Sequence, residues 1–143
     1  MDTQLTFPDP KDDDVFDEGN ASYPRAQAIA DGALADVTET GREVGFRLPV
    51  AITEALHNRL TPSKADQAIG QDYDGRLWDV LWLAGFTIQL ADQGADTVTF
   101  TMSQQEVEAK SGRTQNVDLR LRAVCGLGDE GEPVITIGYP DDF

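Results

Sequence analysis

Apolar and polar positions alternate most regularly in the last third of the chain. In TVTFTM the apolar Val98, Phe100 and Met102 alternate with threonines, and in NVDLRLRAV the apolar Val117, Leu119, Leu121 and Ala123 alternate with Asp118, Arg120 and Arg122. A period of two sends successive side chains to opposite faces, so both segments are predicted as half-buried strands. The glycine-rich GLGDEGEP reads as a turn, and PVITIG after it keeps Ile135 and Ile137 on one face. The three strands are predicted to pair as an antiparallel meander.

Earlier segments follow a helical period. RAQAIADG is predicted as a short helix, with Ser22 as its cap, Pro24 in its first turn and Gly32 as its stop. ALADVT, at 33–38, reads as a short strand, and Thr40 with Glu43 has capping-box spacing for a turn of helix through REVGF. After Pro49, VAITEALHNRL brings Val50, Ile52, Ala55, Leu56 and Leu60 near one helical face, and Thr61-Pro62 ends that helix. Ser63 can cap a further turn, KADQAIG. The most apolar segment, GRLWDVLWLAGFTIQLA at 75–91, is predicted as a buried central helix with Trp78 and Trp82 in the core. Its end also has a strand reading, because Phe86, Ile88 and Leu90 alternate with Thr87 and Gln89 behind Gly85. Helices ahead of strands give an α+β fold: N-terminal helices packed on a small C-terminal antiparallel sheet, a three-stranded meander plus the short strand at 33–38.

Residues 1–21 fit neither period. Asp2, Asp9, Asp12, Asp13, Asp14, Asp17 and Glu18 stand there against Lys11 alone, too little apolar surface to offset the entropy of ordering. The segment is predicted as a flexible acidic tail before a single domain at 22–143, with Leu5, Phe7, Val15 and Phe16 able to dock in part.

Charge narrows the function. With 26 acidic and 11 basic residues the formal net charge is −15, which opposes direct binding to nucleic acid or to an anionic membrane. No apolar run is long enough for a membrane span and no secretory signal opens the chain, so a cytoplasmic protein is expected. Lysine occurs only at Lys11, Lys64 and Lys110. Two causes fit such a bias: solvation in a salty cytoplasm, or carboxylates arrayed like DNA phosphates to enter the basic groove of a nucleic-acid-binding protein.

Catalytic chemistry is poorly supplied. His57 is the only histidine, which removes most hydrolytic triads and multi-histidine metal sites. Glu54 and His57 have the spacing of a helical ligand pair, but a dicarboxylate site needs a second copy and the chain has none. Asp72-Tyr73-Asp74-Gly75 lacks the later ligands of a calcium loop and reads as a turn. The acids of GLGDEGE would repel a phosphate. Arg113, Arg120 and Arg122 form the one local basic cluster, read as pairing with nearby carboxylates. Cys125 cannot form an internal disulfide and is expected as a buried, inert thiol. No enzyme activity, metal or cofactor is expected.

The segments YPRAQAIADGALADVTETGREVGFRLPVAITEAL, DGRLWDVLWLA and AVCGLGDEGEPVITIGYPDDF resemble, over about residues 23–143, an uncharacterised family of small proteins carried on plasmids, phages and other mobile elements. The resemblance carries no catalytic residues with it. It implies a setting, that of accessory factors, some of which block restriction or CRISPR systems by imitating DNA. The expectation is therefore a non-enzymatic anti-defence protein that binds a basic, nucleic-acid-handling partner. Its candidate contact residues are Asp12, Asp13, Asp14, Asp17 and Glu18, with a second patch of Asp129, Glu130, Glu132, Asp141 and Asp142. The alternative is a haloadapted scaffold or ligand-binding domain whose acidity serves solvation alone.

Overall fold

Val50, Ala51 and Ile52 are completely shielded from solvent, and the sheet is organised around them. The computed structural model describes residues 23–143, so the predicted tail, with Asp12, Asp13, Asp14, Asp17, Glu18 and the Ser22 cap, lies outside the described residues. The strands are β1 (Leu34–Asp36), β2 (Val50–Thr53), β3 (Thr97–Val107), β4 (Thr114–Leu127) and β5 (Pro133–Gly138), in the sheet order β1-β2-β5-β4-β3. β3, β4 and β5 pair as the antiparallel meander expected from their alternation. The sheet is nonetheless five-stranded and mixed, because β2 lies parallel to β5 and antiparallel to β1.

The helix expected to start at Val50 begins only at Glu54. Three consecutive apolar residues shielded on both faces are the continuous run of a central strand, which helical spacing alone does not distinguish. Thr53 then turns the chain, its Oγ1 accepting from the Leu56 N–H at 3.4 Å to cap α3 (Glu54–Leu60).

Helix α1 (Arg25–Asp31) follows Pro24 and ends at Gly32, whose φ of 83° suits glycine. In α2 (Thr38–Val44) Thr40 is interior, so the expected box with Glu43 does not form; the chain turns earlier, where Asp36 accepts from the Thr38 N–H at 3.1 Å. Ser63 caps α4 (Lys64–Ala68) as expected, and Asp66 completes the reciprocal box. The remaining helix, α5 (Tyr73–Leu90), is continuous through FTIQL, and Asp72 caps it.

Leu77, Val80, Leu81 and Ala84 of α5 meet Leu56 and Leu60 of α3 and the inward residues of the sheet, among them Leu119, Leu121 and Ile137. Burial stabilises each of the larger side chains by about 1.5–3 kcal/mol. α1 lies over the other face, where Arg25 Nη1 donates to Thr136 Oγ1 at 2.7 Å.

Two burial expectations are corrected. Trp78 and Trp82 are 41% and 52% exposed, because the core seam of α5 is complete with Leu77, Val80, Leu81 and Ala84 and each tryptophan stands one position, about 100°, away from it. Cys125 is exposed rather than buried: its register is inward, but it lies near the end of β4, opposite Ile135, in an open groove shared with Ile88 and Ala91 at the end of α5.

Candidate functional site

A groove of about 850 Å³ opens between the start of α1, the start of α3 and the β4–β5 hairpin. Among the described residues its lining holds three carboxylates, Glu54, Asp129 and Asp142, against the single base Arg25.

Asp129 reaches the groove because α1 needs it. Pro24 stands at the cap position of that helix and offers no side-chain acceptor. The hairpin supplies one, with Asp129 Oδ1 accepting from the Arg25 N–H at 2.6 Å and Oδ2 from the Ala26 N–H at 2.9 Å. Those two N–H groups, first Ala26 and then Arg25, hold the Asp129 carboxyl below its ordinary pKa. The Arg25 guanidinium is drawn in behind its helix, donating to Ile135 O at 2.8 Å; burial lowers its pKa while Asp36, Asp129 and Glu132 pull it back up.

Asp142 is placed by the chain end. Its Oδ2 accepts from Thr53 Oγ1 at 2.7 Å and from the Tyr139 N–H at 2.8 Å, which ties the 3-10 turn at Pro140–Asp142 to the start of α3. Gly138 permits this approach, since a Cβ there would stand 2.5 Å from Thr53 Cγ2 and 2.8 Å from Asp142 Oδ2.

Of the expected second patch, then, the structure brings Asp129 and Asp142 to one groove, and both hold backbone in place. Glu132 turns inward on its own loop to accept from the Glu130 N–H at 2.9 Å. Glu130 and Asp141 are exposed beside Asp129 and Asp142 in the chain. Tyr23, which the acidic residues 12–18 precede in sequence, lines the same groove.

Glu54 and Arg25 were not expected at the site. Glu54 drew notice only as a partner for His57, whose Nδ1 is instead 2.7 Å from Tyr73 Oη with the rings edge to face at 5.1 Å. Among the described residues no three histidine, cysteine, aspartate or glutamate side chains gather as a metal cluster, and no helix is long and apolar enough to cross a membrane. Exposed acids are not confined to the groove: Asp31, Glu39, Glu43, Asp79, Asp92 and Asp118 stand on other elements.

One carboxylate outside the expected patches is buried. Asp66 accepts from the Ser63 and Val107 N–H groups at 3.1 and 2.8 Å and pairs with Arg76 at 3.2 Å. Burial pushes its pKa up, but those N–H donors and Arg76 outweigh it and hold the carboxyl below its ordinary value. Arg76, also buried, donates to Leu60 O at 3.3 Å and Gln105 O at 2.7 Å. The Ser63-x-x-Asp66 spacing was the available signal for the acid.

Fold and groove together define a small α+β domain with a mixed five-stranded sheet and an acidic cleft at one end of it. Residues 15–143 match the model of DUF6573, a family of unknown function, and the chain belongs to that family. The match starts ahead of the expected residue 23, so Asp17 and Glu18 fall inside it. No curated protein and no solved structure matches the chain.

Proposed function

We propose that the protein is a non-enzymatic accessory factor of a mobile element that binds a basic, nucleic-acid-handling protein, in the manner of DNA-mimicking inhibitors of restriction or CRISPR systems. The observation that carries this reading is the convergence of Glu54, Asp129 and Asp142 on one groove with a single counter-charge. Two of these carboxylates are held by hydrogen bonds from the chain itself, and pre-positioned charge loses little freedom on binding. Glu130 and Asp141, exposed and next to Asp129 and Asp142 in the chain, and the carboxylates at 12–18 can add to that charge on contact.

The test is competition with labelled duplex DNA for purified restriction and CRISPR nucleases. The chain is expected to displace DNA from at least one of them, and its own binding to that nuclease, measured without DNA, is expected to weaken as salt rises. A variant combining Glu54→Gln, Glu130→Gln and Asp141→Asn should displace it at least about tenfold less well, because opposite charges in contact contribute most to such encounters. None of those three carboxylates holds a hydrogen bond within the described residues, so the fold should survive. Unchanged DNA occupancy under saturating protein, or an unaffected triple variant, would contradict the reading.

A second reading has its own support. Exposed acids occur on α1, α2, α5 and β4 as well as at the groove, the spread that solvation in high salt would produce. It predicts that the fold weakens when salt is withdrawn and that the triple variant changes no association.

A further inference from the structure

Among the described residues β3 leaves most of one side of its backbone open. The Val107 N–H donates to Asp66 Oδ1 at 2.8 Å and Gln105 O accepts from Arg76 Nη2 at 2.7 Å, so these odd-numbered residues face away from β4. The even-numbered Asp96 and Glu108 face the other way, bonding Cys125 N at 2.8 Å and Arg113 O at 2.9 Å. Backbone orientation alternates along an antiparallel ladder, so Thr97, Thr99, Thr101 and Ser103 turn their N–H and C=O groups to the outer edge. β3 is last in the strand order, and among the described residues β4 is its one strand partner. From Thr97 to Gln105 it carries no charge and no proline, the devices that ordinarily blunt an edge.

The helix beside this edge is apolar on its exposed side. Trp78, Trp82 and Phe86 follow one another at four-residue spacing and are 41%, 52% and 48% exposed. Trp82 and Phe86 stack with centroids 5.4 Å apart and planes 6° off parallel. No charged residue occurs from Val80 to Ala91. A groove of about 460 Å³ lined by Trp78, Asp79, Trp82, Leu83, Met102 and Ser103 joins the two tryptophans to the strand edge in one margin, while Phe86 lines a second groove with Trp82, Phe46, Leu48 and Ile135.

We propose that this margin is a two-fold interface with a second copy of the chain. Antiparallel pairing of β3 with β3, centred near Phe100 so that Thr99 faces Thr101 and Thr97 faces Ser103, continues the sheet through both molecules and brings the tryptophans of the two α5 helices to one face. A two-fold axis requires a surface complementary to itself. This one is: threonine and serine meet threonine and serine along the strand, aromatic meets aromatic along the helix, and the strand edge sets no like charges opposite each other up to Gln105. A basic partner would find almost no counter-charge here. The two half-exposed tryptophans offer roughly 200 Å² per copy. The strand edge and its flanks need to add about 300 Å² per copy to reach the roughly 1,000 Å² total that marks a specific interface. The −15 charge on each copy opposes association, so salt strengthens it, the opposite sign from binding a basic partner.

The test is sedimentation velocity of the full chain from low to high micromolar concentration, at low and high salt, with tryptophan emission read on the same samples. Both tryptophans of the chain lie on this margin, so emission reports on it alone. Twice the 15.6 kDa chain mass, a blue shift on association and tightening with salt are expected. Thr101→Pro removes an N–H that faces the open edge, where proline is tolerated, and Trp82→Gln removes an aromatic anchor. Each should weaken association at least about tenfold; should Thr101→Pro fail to fold, Trp82→Gln decides. A chain that stays monomeric throughout overturns the proposal, and the cover of this margin is then the N-terminal segment or another protein. A dimer untouched by the substitutions overturns it equally.

Discussion

The two margins of the sheet treat charge and backbone in opposite ways. Around α1 and the β4–β5 hairpin, exposed N–H groups are met by carboxylates: Asp129 caps α1, Asp142 holds Tyr139 and Thr53, and Glu132 closes its own loop. Along β3 and α5 an uncharged strand edge stands beside exposed aromatic rings. Acidity here is therefore part architecture and part surface. A carboxylate already bonded to two N–H groups is fixed in space and keeps its charge, whereas an exposed tryptophan has its apolar area still to bury. The first arrangement suits steering toward a cationic surface; the second suits close contact with an apolar one.

The largest expected effect falls where the aromatic margin borrows the device of the acidic one. Asp66 and Arg76 seal the Val107 end of β3, and Asp66→Ala would leave Arg76 buried without its partner, at a cost of about 3–5 kcal/mol in urea unfolding. The folded pKa of Asp66 lies below its unfolded value, so its stabilisation is complete above about pH 4 and is lost as pH falls through the folded value. Acid titration of Asp66→Ala beside the wild type should show the gap closing in that window.

Next come two neighbours on α5. Leu81 is fully buried, and Leu81→Ala should cost about 3 kcal/mol. Trp82→Ala removes a larger side chain, yet at protein concentrations low enough to keep the chain monomeric it should stay within about 1 kcal/mol of wild type. Equal losses from the two would erase the distinction between a packed seam and a waiting surface.

Asp129→Ala should lower the melting temperature by less than Leu81→Ala and loosen the amides of α1 in hydrogen exchange. The deficit should shrink as pH falls through the depressed folded pKa, where the wild type also loses its cap. The smallest effect belongs to Arg59→Gln. Its bidentate contact with Glu106, at 2.8 and 3.1 Å, is partly open to solvent and should be worth under about 1 kcal/mol in thermal unfolding.

The meander was legible because period-two alternation has one reading when a strand is half buried, and Val98 to Met102 and Leu119 to Ala123 follow it closely. β2 was not, since Val50, Ala51 and Ile52 are shielded on both faces and such a run fits helix or strand. The tryptophans misled for a related reason. Hydrophobicity shows which residues need cover, and four-residue spacing shows which share a helix face, but neither shows that Leu77, Val80, Leu81 and Ala84 already complete the seam. Two of the five described patch residues, Asp129 and Asp142, meet at the groove. Glu54 was not legible there, because the approach of the hairpin to α3 depends on pairing between distant strands, which charge patterning does not encode.

Different partners for the two margins are tested most directly by the salt dependence of two associations measured on one preparation. Rising salt should tighten self-association of the chain and weaken its direct binding to a nuclease. Responses of the same sign, or the absence of either response, would contradict that division.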